Sequence, residues 1–295
     1  MIEDIDKWRK AGEITAKAIE YGRNLIKSGA NIREVCDLID QKIIELGAKP
    51  AWPTQVGLNH VAAHYTPDAD DTSVFNDELV CLDVGAHVDG FVGDTACTVD
   101  LSGKYSDLVN AAKEALEAAK KIVQIGTPLS ELVKTIQEVI TSHGFSPIKN
   151  LSGHGISRWV IHDSPSVPNF NTKEKDVLKQ GQIIAIEPFA TTGVGFVEEI
   201  ERSNIFSLVD KRPVRSMFAR EVMNFVEWEY ESLPFTTRWL AKKFGAGKTN
   251  IAIKELLANG SLHSHPPLVE RNKGMVAVWE NTLLVDDKVE VLTNF

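Results

Sequence analysis

Two stretches of this chain are punctuated alike, and that repetition limits the folds open to it. An apolar helical stripe (Ala11, Ala18, Leu25) ends near Ser28-Gly29. Asn31 then reads as the N-cap of a second helix, with Ile32, Val35, Ile39, Ile43 and Leu46 on one face. Gly47 supplies its stop, and Pro50 lies just beyond. Gly29, Glu34, Ile39, Ile43, Gly47 and Pro50 recur in register as Gly126, Glu131, Ile136, Ile140, Gly144 and Pro147, with Leu129 and Leu132 standing for Ile32 and Val35. Helical patterns coincide by chance more readily than glycine stops and prolines do. The chain therefore reads as two related halves, each a helix pair followed by strands. Such halves form an α+β fold, helices over a curved antiparallel sheet, with a site expected where they meet.

Glu78 to Val88 and Phe91 to Leu101 read as a hairpin about an Asp89-Gly90 turn. Ile183 to Phe189 and Met275 to Val285 read as two further strands. From Arg212 to Lys273 the character changes to helices and loops, with short helices expected over Phe218 to Tyr230, Phe235 to Phe244 and Ile251 to Ala258. That stretch, 212–273, reads as a helical insertion within a 1–295 catalytic unit.

Acids are out of place on these strands. With Asp89-Gly90 as the turn, Asp83 faces Ala96, and Asp94 lies two residues along on the same face. That diagonal puts their α-carbons about 7–8 Å apart. Glu187 is the lone acid of one apolar strand and Glu280 of another. Each alone reads as a salt-bridged acid, and His154, between glycines, as a satisfied core histidine. Four acids in mid-strand with that histidine are harder to explain without compensating charge. Four carboxylates and one imidazole suit two divalent ions such as Mn, Fe, Co or Zn.

Composition removes several alternatives. The formal net charge of −9 gives nucleic-acid binding no support from the whole molecule. No apolar run approaches the roughly 18 residues that span a bilayer. Met1 to Lys10 lacks an apolar signal core. Cys36, Cys81 and Cys97 have no paired or metal-binding spacing. The expectation is a cytoplasmic globular protein.

The runs Asp83–Ala96, Ser152–Gly155, Ile186–Phe189 and Trp279–Thr282 resemble the methionine aminopeptidases, which have the pita-bread fold with pseudo-twofold halves. The resemblance extends in order over nearly the whole chain. The long interval between Glu187 and Glu280 is similar to the type 2 insertion, here in an archaeal-like form without a long N-terminal extension. The insertion's outline resembles a winged helix, and its basic residues Arg238, Lys242, Lys243, Lys248 and Lys254 read as a solvated face. The resemblance implies that Asp83 chelates one metal, that His154 and Glu187 bind the other, and that Asp94 and Glu280 bridge both. It implies that His64 and His162 contact the substrate and stabilise the reacting carbonyl, that Glu187 also moves a proton, and that Trp52, Ile161 and Phe189 line the methionine pocket. The implied reaction is removal of the initiator methionine from nascent proteins when the second residue is small and uncharged. Nascent N-termini are the implied partners, with the ribosome a candidate, and the expected state is a monomer.

Three positions depart from the family pattern. Asn281 follows the bridging glutamate where histidine is usual, His265 stands for a tyrosine, and Trp52 for a phenylalanine. Rival readings are an Xaa-Pro aminopeptidase or creatinase-like hydrolase of the same fold, and a non-catalytic binding protein that has lost its ligands. His60, His87, His143 and His263 read as surface or structural residues.

Overall fold

The structure, a computed structural model, describes residues 4–173, 175–200 and 202–295. Met1, Ile2 and Glu3, part of the N-terminal segment read above, lie outside them. The first half runs through α1 (Ile5–Leu25), α2 (Ile32–Glu45), β1 (Lys49–Pro50), β2 (Gln55–Leu58), β3 (Val61–Ala63), β4 (Leu79–Val88) and β5 (Phe91–Asp100). The second opens identically with α3 (Ser106–Ile122), α4 (Leu129–Ser142) and β6 (Ser146–Pro147). It continues with β7 (Ser152–Ser157), β8 (Val160–Pro168), β9 (Gln182–Ile186), β10 (Phe189–Thr191) and β11 (Val197–Glu199).

The repeat has a physical basis in both halves. Asn31 caps α2 by accepting from the Glu34 amide at 2.9 Å. Gly29 and Gly126, both at φ 86°, turn the chain between the paired helices. Their amides donate to Phe75 and Leu178 carbonyls at 2.7 and 2.8 Å. Gly47 and Gly144 end α2 and α4 at φ 89° and 82°. Each half has its own apolar core. Ile14, Ile19, Ile39, Ile43 and Leu82 belong to one, and Leu108, Leu132, Ile136, Ile184 and Ile186 to the other.

The β4–β5 hairpin pairs Val88 with Phe91 and Asp83 with Ala96, the register expected from the turn. β1 and β2 flank β4. Gly93 of β5 lies against Gly12 of α1 so closely that an added Cβ would come within 2.8 Å of the Gly12 backbone. Thr15 joins the same contact by donating to the Gly93 carbonyl at 3.2 Å.

Between β11 and the last strands lies the segment of changed character. It comprises β12 (Ile205–Leu208), α5 (Met217–Tyr230), β13 (Phe235–Thr236), α6 (Thr237–Phe244), α7 (Ala246–Ala258), β14 (Leu262–Ser264) and β15 (Leu268–Glu270). α5, α6 and α7 cover the sheet β13–β12–β14 over a separate core that includes Phe206, Val222, Val226, Phe235, Leu240 and Leu256. Its first strand precedes residue 212, while β15 pairs with β11 and β3 of the body. Arg238 is not on a solvated face. It is 1% exposed and reaches Asp37 at 2.8 Å and Asp40 at 3.1 Å. Lys242 of α6 also reaches Asp37 of α2, at 3.1 Å.

The closing strands are β16 (Val276–Val278), β17 (Asn281–Val285) and β18 (Glu290–Val291). The two continuous strands expected over Ile183–Phe189 and Met275–Val285 are each interrupted. β9 pairs with β17 and β10 with β16, so the breaks at Glu187-Pro188 and Trp279-Glu280 lie opposite each other. Pro188 has no amide to give a ladder. The Glu280 amide instead donates to the Ala96 carbonyl of β5 at 2.9 Å.

Candidate metal centre

The interruptions, the hairpin and β7 meet on one cavity of about 500 Å³ at the junction of the halves. Asp83, Asp94, His154, Glu187, Trp52, Ile161, Phe189, His64 and His162 all line it. Donor atoms of Asp94, His154 and Glu280 lie within 4.8 Å of one another. Asp83 and Glu187 stand outside that tight group, on the same cavity. The structure thus brings these nine candidates and Glu280 to one place, with Asp94, His154 and Glu280 close enough together to share an ion.

Local packing explains the placement of each side chain. His154 sits on β7 between Gly153 and Gly155, where added Cβ atoms would meet the carbonyls of Ala185 and Ser164. The glycines thus let the neighbouring strands close around the histidine. Its Nδ1 lies 3.2 Å from the Gly155 carbonyl, and its Nε2 3.6 Å from Asp94 Oδ2. Asp94 owes its position to threonines. The Thr282 hydroxyl accepts from the Asp94 amide at 2.9 Å and donates to its carbonyl at 2.8 Å. Thr95 donates to the Glu280 carbonyl at 2.6 Å.

The carboxylates repel one another's ionisation. Burial pushes Asp83 up to about 7, opposed by a hydrogen bond from Trp52. Burial raises Asp94, Glu187 and Glu280 well above the usual carboxylate range, and the mutual charges of the cluster add to it. Glu280 Oε1 is buried without a hydrogen-bond partner. Four such acids, one orphaned oxygen and an imidazole form a donor set that fits divalent cations, which would replace the protons burial otherwise demands. His154 is held down to about 3, by burial and then by neighbouring His162, so its ring is already in the neutral, ligating form.

His64 and His162 complete the walls. His162 packs edge-on against His154, centroids 4.4 Å apart, and burial lowers its pKa. Burial takes His64 down to about 4. His64 Nδ1 lies 3.2 Å from the Pro266 carbonyl, a partner that can only accept, so Nδ1 carries the proton and Nε2 is left as an acceptor. Trp52 does more than line an apolar pocket, because its indole N–H donates to Asp83 at 3.0 Å, a bond that phenylalanine could not make. His265 also lines the cavity and meets the Ser207 hydroxyl at 2.9 Å. Asn281 points away from the cavity chemistry: its amide donates to the Thr293 carbonyl at 2.7 Å and its oxygen accepts from Lys120 at 3.1 Å.

Gln55, Trp159 and Ser207 line the cavity without having been singled out from sequence. Gln55 and Ser207 each left a trace, as the polar residue of the short apolar runs Gln55–Leu58 and Ile205–Leu208.

Comparison with known proteins bears on family and fold. Residues 6–287 match metallopeptidase family M24. A methionine aminopeptidase of Archaeoglobus fulgidus is 44% identical over 289 residues, covering 98% of this chain and 97% of the relative. That of Methanocaldococcus jannaschii is 40% identical, covering 99% of both. Among solved structures, a thermophilic Arx1 superposes with TM-score 0.86 at 15% identity, over 99% of this chain and 91% of that one. The methionine aminopeptidase of Thermotoga maritima superposes with TM-score 0.73 at 24% identity, over 100% and 98%. These structural likenesses are of fold, the two-halved pita-bread arrangement described above. The chain belongs to metallopeptidase family M24.

Proposed function

We propose that this protein is a methionine aminopeptidase that removes the initiator methionine from nascent proteins whose second residue is small and uncharged. The observation that carries the reading is the buried group of Asp94, His154 and Glu280, with Asp83 and Glu187 on the same cavity. Asp83 would hold one divalent ion, His154 and Glu187 the other, and Asp94 and Glu280 both. Bound there, two such ions, of Co, Mn, Fe or Zn, supply Lewis acidity and lower the pKa of water.

The remaining work belongs to the chain. Glu187, a carboxylate on the wall of the same cavity, takes up and returns a proton in the reaction. His64 offers its Nε2 lone pair to the N–H of the scissile amide. His162, held neutral by burial, can donate toward the developing oxyanion. Trp52, Ile161 and Phe189 give an unbranched thioether an apolar wall. The partners are nascent N-termini in the cytoplasm, met at the ribosome, and the working unit is a monomer. No helix of the described residues is long and apolar enough to cross a membrane.

Assaying the metal-loaded and chelated protein on Met-Ala-Ser and Ala-Pro-Ala tests this. Methionine should be released from the first peptide, only with metal, and a second-position leucine or lysine should resist. Preference for Ala-Pro-Ala, or full activity without metal, overturns the reading.

A further inference from the structure

Gln55 is a polar side chain that the reaction described above does not use, set between two residues that it does. On β2 it pairs across the ladder with Asp83. Its Oε1 accepts from the His64 backbone amide at 2.6 Å. That contact fixes which way the amide group points, because a backbone N–H needs an oxygen opposite it. The NH2 end is therefore determined too. Gln55 is 7% exposed and lines the cavity, and its Nε2 has no hydrogen-bond partner among the described residues. A donor that no protein acceptor engages, on the wall of a cavity built for a peptide, is available to that peptide.

The oxygen end has work of its own. His64 stands at φ 64°, the left-handed region that side-chain-bearing residues seldom occupy. Such a conformation persists where its surroundings hold it. Gln55 grips the His64 amide, and the Pro266 carbonyl grips its ring at 3.2 Å, so backbone and imidazole are each held by a separate partner.

We propose that Gln55 serves two partners at once: its carbonyl oxygen positions His64, and its NH2 group donates to a peptide carbonyl on the leaving-group side of the scissile bond. This rests on the aminopeptidase reading. The carboxylate end of the cavity is taken by the substrate amine and the scissile carbonyl, and His64 faces the scissile amide. Gln55 is bonded to His64 and lines the same cavity, so its NH2 group is placed for the next carbonyl of the chain, one peptide unit past the amide that His64 faces. Gln55 is thus a positioning residue through its oxygen and a substrate-binding residue through its nitrogen.

Methionine p-nitroanilide separates the two parts, since it has no carbonyl beyond the scissile amide. Cobalt-loaded wild type, Gln55→Glu and Gln55→Met are compared on Met-Ala-Ser and on the anilide. In both variants the ratio of kcat/KM for peptide to that for anilide should fall about tenfold, one lost hydrogen bond to the substrate. Because the two variants differ in charge, a shared ratio cannot come from the new carboxylate beside Asp83. Gln55→Met, which loses the oxygen as well, should show a further fall of about tenfold in anilide kcat relative to Gln55→Glu. Calorimetric cobalt titration should give Gln55→Met the wild-type affinity. An unchanged ratio overturns the donor role, equal anilide kcat in the two variants overturns the positioning role, and lost cobalt binding in Gln55→Met overturns both. Wild-type protein that leaves Met-Ala-Ser uncut would overturn the aminopeptidase reading itself, a separate failure.

Discussion

His64 and His154 share a cavity, and each has its Nδ1 beside a backbone carbonyl, so each turns an Nε2 lone pair outward. What that lone pair faces decides its work. For His154 it is the carboxylate cluster, with Asp94 Oδ2 at 3.6 Å; for His64 it is the space a substrate would fill. His154→Ala should therefore weaken metal binding itself. His64→Ala should leave calorimetric metal titration near wild type yet slow turnover by about 10²–10⁴-fold. Equal metal loss in the two variants would refute the division. The glycine-flanked setting of His154 was visible in sequence. The tautomer of His64 was not, since it depends on Pro266, a residue far along the chain.

At the scale of elements, the centre is assembled from strands that fail to continue. Backbone pairing is interrupted at Glu187 and Glu280, and side chains take over the joining of the halves. Thr282 holds both polar groups of the Asp94 backbone, Thr95 holds the Glu280 carbonyl, and Thr293 donates to the Asp94 carbonyl at 3.2 Å. Thr282→Val keeps the shape of the side chain but leaves the buried Asp94 amide without its partner. It should cost about 1–3 kcal/mol in denaturant unfolding, and metal titration should show weaker binding as Asp94 shifts. Thr282→Ser should restore most of both. A valine variant as stable and as tightly metal-binding as wild type would show the clamp to be dispensable. The apolar runs Ile183–Phe189 and Met275–Val285 gave strand identity here but not the interruptions, because a run that pairs and a run that pauses at a carboxylate look alike in one dimension.

Across the whole molecule, Arg238 fastens the helical segment to the body. Besides Asp37 and Asp40, it donates to the Thr66 hydroxyl at 2.9 Å and the Pro67 carbonyl at 2.8 Å. Asp40 also accepts from Thr54 and from the Trp239 indole, so the acid is buried in a full set of donors. Arg238→Met leaves that carboxylate without its cation and should cost about 3–5 kcal/mol. Adding Asp40→Asn should recover part of the loss, measured as denaturant midpoints across the four-protein cycle. No coupling between the two substitutions would mean that the pair does not anchor the segment.

The sequence by itself determined the two halves, the hairpin register and the five candidate ligands. Each was written locally: glycine stops and caps specify helix ends, a two-residue turn sets every pairing behind it, and a lone acid on an apolar strand stands out against its neighbours. Tertiary structure alone decided that those acids converge, that Trp52 donates to Asp83, that Gln55 holds His64, and that Arg238 is buried. Those outcomes depend on contacts between segments distant in the chain, and a single residue's chemistry is the same whether its partner is water or a carboxylate. A local pattern carries the period of an element. Which face of one element meets which face of another is settled only when both are packed.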